Sequence, residues 1–309
     1  MRRGDFPAAW VVSDAVLKSR AGIACDHLPR HEQFLWNGGS IAGKRVLVRC
    51  YHGLGDTVQF IRYAALVRAQ ASELIVWAQP SLVELLSNVA GVDHVLPLHD
   101  GTPEVSYDVE VESMELPHLF RTTLASIPAQ VPYLHPPSAS SPLQIEGTGQ
   151  SRRVGVVWQA GGWDPRRSVP AALLAGLARI PGVVLYAFQR GPALDEWRAE
   201  DGPVAGSDDA VATARAMQAM DLIISADSFP AHLAGALGRP VWTLLHISPD
   251  WRWMDDRSDS PWYPTMRLFR QASPGDWEGV VAEVASNLRL LASTERRRQG
   301  QTGDGGDAR

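Results

Sequence analysis

Short apolar runs, each followed by a polar or glycine-containing turn and then a stretch with helical spacing, recur along most of this chain. Arg45 to Cys50 (RVLVRC) reads as a strand, Tyr51 to Gly55 as a turn, and Asp56 to Gln70 as a helix with Val58, Ile61 and Ala65 on one face. Glu73 to Ala78 and Val92 to Leu98 read as further strands around a helix from Ser81 to Val89, and Tyr107 to Val111 and His118 to Ser126 add a strand and a helix. The alternation restarts with strands at Val154 to Trp158 and Val183 to Phe188 and helices at Pro170 to Arg179 and Asp208 to Met220. Met266 to Phe269 reads as a last strand and Trp277 to Leu291 as an amphipathic helix. Strand–helix alternation of this kind predicts parallel α/β sheets.

The sharpest unit is Asp221 to Trp242, DLIISADSFPAHLAGALGRPVW. Asp221 to Ser225 suits a strand buried on both faces, and Pro230 suits the first turn of a helix. Asp227 or Ser228 is placed to cap that helix, and Gly238 with Pro240 ends it before the strand Val241 to Leu245. The polar loop so formed lies at the carboxyl end of a strand and the amino end of a helix, where open α/β sheets bind ligands and where backbone amides suit a phosphate.

The organisation predicted is an amino-terminal arm over 1–40, containing a short helix from Ala8 to Ser19, then an α/β domain over 41–134. A linker rich in Pro, Ser and Gly spans 135–152, a second α/β domain 153–292, and a disordered tail 293–309. The long irregular stretch from His246 to Pro264 is of a length that often carries function. Two α/β halves joined in this way enclose a cleft and suit a two-substrate enzyme.

Length and charge narrow the classes. The 309 residues, 45% of them hydrophobic, suit two packed domains, and a net charge of −5 argues against a nucleic-acid partner. Two cysteines, Cys25 and Cys50, give no disulfide framework. No apolar run approaches the roughly 20 residues of a membrane span, and the first nine residues lack the apolar core of a signal peptide, so a cytoplasmic protein with at most peripheral membrane contact is expected. His27 and His31 have i, i+4 spacing, but Pro29 between them speaks against a metal site.

The strings GLGDTVQFIRY (53–63), RVGVVW (153–158), RRSVP (166–170), DSFPAHLAGALGRPVW (227–242) and PDWRWMDDRSDSPWYPTMRLFRQ (249–271) together resemble a GT-B glycosyltransferase family. It is the type found behind tetratricopeptide repeats in bacteria, related to the lipopolysaccharide heptosyltransferases of glycosyltransferase family nine. The resemblance covers about Trp36 to Leu291. It implies two facing Rossmann-like domains, the first for an acceptor and the second for a nucleotide-diphosphate sugar, and inverting transfer without a metal or other cofactor. No DxD motif is present, and the Asp255–Asp256 pair is the nearest approach to one. Tyr51-His52 replaces the Glu-Gln usual before GLGD, Phe229 stands where heptosyltransferases prefer Gly, and the first forty residues hold no full repeat.

Inverting transfer needs a base for the acceptor hydroxyl and donors for the departing diphosphate. The resemblance carries the catalytic acid onto Asp56, which is equally placed to cap its own helix; His52 is an alternative base. Gly53 and Gly55 let the turn approach substrate or simply make it tight. Ser228 and Phe229 offer amides to phosphate, with Arg167 and Arg166 equal candidates for its cation. Asp227 suits sugar hydroxyls or an N-cap, His232 a ligand contact or a packed ring, and Gln189 a nucleobase or ribose. Trp158, Trp163, Trp251, Trp253, Trp262 and Tyr263 are aromatic candidates for stacking or for packing. The competing readings are a nucleotide-sugar epimerase of the same fold and a catalytically degenerate domain that keeps the cleft as a binding or scaffold surface.

Overall fold

The computed structural model describes residues 1–138 and 151–302, with side chains through residue 293. Two all-parallel sheets form the frame. The first runs β3 (His94–Pro97), β2 (Glu73–Ala78), β1 (Arg45–Arg49) and β4 (Val109–Glu112); the second runs β6 (Val183–Ala187), β5 (Arg152–Val157), β7 (Leu222–Ala226), β8 (Val241–Leu245) and β9 (Met266–Arg270). The helices are α1 (Phe6–Arg20), α2 (Leu54–Phe60), α3 (Ala64–Arg68), α4 (Val83–Leu86), α5 (Leu116–Leu119), α6 (Ala171–Ala175), α7 (Ala210–Gln218), α8 (Phe229–Ala236) and α9 (Trp277–Thr302).

The central strands β1, β2, β7 and β8 are apolar runs because each buries both faces, whereas the edge strands β3 and β4 carry polar residues and are partly exposed. In β1 and β2, Val46, Val48, Leu74 and Val76 join the helical core, while Leu47, Ile75 and Trp77 point the other way and are covered by Tyr51, Leu96, Leu98 and Tyr107. The second sheet divides likewise: Val154, Val156 and Ile224 pack with Trp277, Val280, Val284 and Leu288 of α9, whereas Val157 and Ile223 face α8.

The two sheets share one core. The cluster around α2 also contains Ala231, Leu233, Ala234 and Tyr263 of the second domain, so α2 and α8 cross at the seam. Gly55 makes that crossing possible: a Cβ there would lie 2.8 Å from the His232 ring and 3.5 Å from the Phe229 Cα. Arg62 fastens the seam from within. Its buried guanidinium donates to the Trp262 carbonyl and, at 2.8 Å, to the Tyr133 hydroxyl, with the Tyr263 ring 4.4 Å away.

The amino-terminal arm carries its expected helix and is anchored: Phe6 and Trp10 of α1 are buried in the shared core, the Trp10 indole donates to the Thr122 carbonyl at 2.7 Å, and Arg2 pairs with Asp255 at 2.9 Å. The helical spacing was readable, but which core it completes depends on residues more than a hundred positions away. Three expectations require correction. The helix expected over 56–70 is split by a tighter 3₁₀ turn, Ile61–Tyr63, and that turn presents Arg62 to the second domain. The helix expected over 118–126 is the short α5, Leu116–Leu119. Of the tail expected over 293–309, residues 293–302 continue α9, since Ala292 to Arg298 contains good helix formers and no breaker, and residues 303–309 lie outside the described residues. Most of the linker expected over 135–152 lies outside the described residues. Tyr133 and Leu134 donate backbone bonds to the Ala236 carbonyl, so the chain leaving the first domain is fixed to the end of α8.

Candidate active site

Between the sheets lies a cleft of about 680 Å³. Its walls come from the turn into α2 (His52 to Asp56), the loop after β5 (Gly161, Trp163, Arg167), the loop from β7 into α8 (Asp227 to Phe229, with His232), Asp250 and Arg252 of the long irregular stretch, and His31. Each wall except His31 follows the carboxyl end of a strand, as expected for an α/β sheet.

Asp56 stands in the first turn of α2. One carboxylate oxygen accepts from the Gly53 amide at 2.9 Å and the other meets the Arg252 guanidinium at 2.7 Å. Capping and facing the cleft are therefore not alternatives. A carboxylate oxygen has two lone pairs, so each retains one for a substrate hydroxyl. His52 also reaches the cleft, 3.9 Å from the buried Glu112 carboxyl group. Burial lowers its pKa, with the Asp56 charge opposing, so at neutral pH it is an uncharged imidazole. Burial also lifts Glu112 to about 8, against the hydrogen bond from Ser113.

Arg252 is the residue that the motifs did not single out. It is buried beneath the cleft, donates to Asp250 and to the Gln59 side chain at 2.8 Å each, and pairs with Asp56 across the seam. Burial opposes its charge, but Asp250, Asp56 and Asp227 outweigh that and raise its pKa. The one signal in the sequence was a lone arginine between tryptophans in an unusually long irregular stretch.

In the β7–α8 loop Ser228 takes the N-cap position in extended conformation and Pro230 the first turn, but neither Asp227 nor Ser228 caps the helix amides with its side chain as expected. The Ser228 hydroxyl turns back to the Ala226 carbonyl at 3.2 Å, and no side chain caps α8, which leaves its amino end to a ligand. Phe229 lines the cleft beside it. Asp227 is buried, and burial raises its carboxyl pKa while the Arg252 charge opposes. Its position suits accepting from or donating to sugar hydroxyls. Arg167 donates to the Asp227 carbonyl at 3.0 Å and to the Gly161 carbonyl at 3.2 Å while lining the cleft.

His232 is both packed and at the cleft. It is buried, stacks on Trp253 at 5.2 Å between ring centroids and shares a hydrogen bond with the Tyr263 hydroxyl at 2.9 Å. Burial holds its pKa well below the usual value, so the ring stays neutral.

Two candidates lie elsewhere. Arg166 is mostly exposed and is held by Asp164 through bonds of 2.9 Å. Gln189 spends its side-chain oxygen on the Trp158 and Gln159 amides at 3.2 and 2.8 Å, fixing the start of the loop that carries Arg167. Trp158, Trp253, Trp262 and Tyr263 are core residues, Trp251 is half-buried, and only Trp163 of the aromatic candidates is open to the cleft. Among the described residues no group of three or more His, Cys, Asp or Glu side chains is placed to hold a metal ion. No helix of the described residues is long and apolar enough to cross a membrane.

Solved structures with this arrangement include a family 9 glycosyl transferase from Veillonella parvula, at a TM-score of 0.56 and 14% identity over 83% of this chain and 98% of that one. The ADP-heptose lipopolysaccharide heptosyltransferase II of E. coli is similar at a TM-score of 0.56 and 16% identity, over 82% of this chain and 99% of that one. The chain has the GT-B fold. At these identities the likeness concerns architecture. No family model matches the sequence. Protein FlbA of Caulobacter vibrioides is 26% identical over 90% of this chain, and the chain spans about half (52%) of the length of that relative.

Proposed function

We propose that this chain is an inverting glycosyltransferase that moves a sugar from a nucleotide-diphosphate donor to a hydroxyl of a glycan, lipid or protein. The observation that carries the reading is the convergence, in one cleft of a GT-B fold, of a carboxylate on one domain with an uncapped helix amino end and a cation on the other. An acceptor oxygen attacks the anomeric carbon while its proton passes to Asp56. The bond from that carbon to the diphosphate oxygen breaks, and the electron pair leaves on the phosphate. Arg167 and the Ser228 and Phe229 amides stabilise the charge that develops there. Positive charge supplied by the chain itself supports a mechanism with no resident metal or cofactor. Asp227 and neutral His232 orient the sugar, and Arg252 keeps the Asp56 carboxylate facing the cleft.

ADP-heptose is the first donor to test, because the E. coli structural neighbour is named for it. The decisive variant is Asp56→Asn, assayed for nucleoside diphosphate release with acceptor and, separately, for donor binding by calorimetry. Turnover is expected to fall by about 10²- to 10⁴-fold with donor affinity little changed. Full turnover in this variant contradicts the assignment of the base. Turnover without acceptor, yielding an isomerised nucleotide sugar, would replace transfer by epimerisation.

A further inference from the structure

The chain has 11 tryptophans, and ten of them are buried or half-buried; Trp163 is 78% exposed. Its indole sits at the mouth of the cleft, 4.8 Å from the Arg167 guanidinium, so the one open tryptophan leans on the cation assigned to phosphate. A ring of this size left in water is a ready contact surface for a flat partner. The two preceding residues, Gly161 and Gly162, have no atom within 4 Å of where a side chain would begin, so packing does not require glycine at either. What the pair supplies is backbone freedom beside the indole. The loop is fixed on both sides of this tip: the Ala160 amide donates to the Ser168 hydroxyl at 3.2 Å, and buried Asp164 holds Arg166 and accepts from its amide.

We propose that Trp163 is an aromatic flap that closes on the nucleobase of the donor. The inference rests on the nucleotide-sugar reading of the cleft and adds the residue that grips the base. A diphosphate seated on Arg167 and the amino end of α8 must turn its sugar toward Asp56 on the other domain. The nucleoside then takes the opposite end of the diphosphate, on the side of the loop after β5, where the indole stands. Stacking accepts any base, since every base has a flat face.

The test is calorimetric titration of the full chain and of Trp163→Ala and Trp163→Phe, with inorganic pyrophosphate and with ADP, UDP, GDP, CDP and dTDP. Pyrophosphate is expected to bind all three proteins alike. The nucleoside diphosphate bound by the unaltered chain is expected to lose about 5- to 100-fold in affinity in Trp163→Ala and to keep most of it in Trp163→Phe. Saturation should also protect the tryptophan most accessible to acrylamide, a fluorescence component missing from both variants. Unchanged nucleotide affinity in Trp163→Ala overturns the flap and leaves the nucleotide-sugar reading standing. Equal losses for pyrophosphate and nucleotide also overturn it, by showing that Trp163 acts only through Arg167. Failure of every nucleoside diphosphate to bind the unaltered chain overturns that reading and the flap together.

Discussion

Replacing Arg252 by alanine takes one cation from beneath the cleft and deprives Asp56, Asp250 and the Gln59 side-chain oxygen of the guanidinium they share. Removing one member of a buried ion pair typically costs about 3–5 kcal/mol, because the remaining charge is stranded. Here Asp56 and Asp250 keep 20% and 28% of their side-chain surface in contact with solvent, which places the expected loss near the lower end, about 3 kcal/mol. That corresponds to roughly a hundredfold change in the unfolding equilibrium. The cost must also depend on Asp56. A cycle of Arg252→Ala, Asp56→Asn and the double variant, followed by denaturant unfolding through tryptophan fluorescence, should give a coupling of about 1–3 kcal/mol. Additive losses within about 0.5 kcal/mol, or a loss below about 1 kcal/mol for Arg252→Ala, would refute the interdomain pair as a structural tie. Donor binding by Arg252→Ala should weaken as well, since the loop bearing it closes one wall.

Other perturbations test neighbouring parts of the account. Gly55→Ala puts a methyl group into the α2–α8 crossing and is expected to cost about 1–3 kcal/mol, measured by unfolding, with weaker donor binding. Burial holds the folded-state pKa of His232 well below its ordinary value of about 6.5, so the unfolded chain takes up its proton first as pH falls. The stability it contributes is full above about pH 6.5 and is lost as pH falls toward the lower folded value, and His232→Gln should flatten that decline. Glu112 has the opposite sign. Its carboxyl is raised from 4.5 to about 8, so its contribution is full below 4.5 and lost as pH rises through 8, and Glu112→Gln should remove that loss in unfolding scans across this range.

The strands were legible because burial on both faces writes itself as an unbroken apolar run: Glu73–Ala78 and Val241–Leu245 match the expected limits residue for residue. The limits of α8 were legible for a local reason, since Pro230 fixes the backbone of its first turn and Gly238 supplies the positive φ that ends it. Helix limits were less so, because 3₁₀ turns such as Ile61–Tyr63 answer to a tertiary demand, here the burial of Arg62, that spacing does not record. The same separation governs the site. Asp56 and Arg167 stand in motifs whose local geometry aims them at the cleft. Arg252 matters through a partner 196 positions away, and Gln189 turned inward to backbone amides that no pattern marks. Trp163 differs from the chain's other tryptophans only in exposure, which composition does not reveal.

The most direct measurement of the central claim is calorimetric titration of the unaltered chain with nucleoside diphosphates and their sugars, beginning with ADP and ADP-heptose. Saturable binding of one diphosphate at a single site is expected, lost when Arg167 is replaced by alanine. At a hundred times its dissociation constant that ligand should stabilise the fold by about 2.7 kcal/mol. A correctly folded chain that binds none of them, or binds one as tightly after Arg167→Ala, would contradict it.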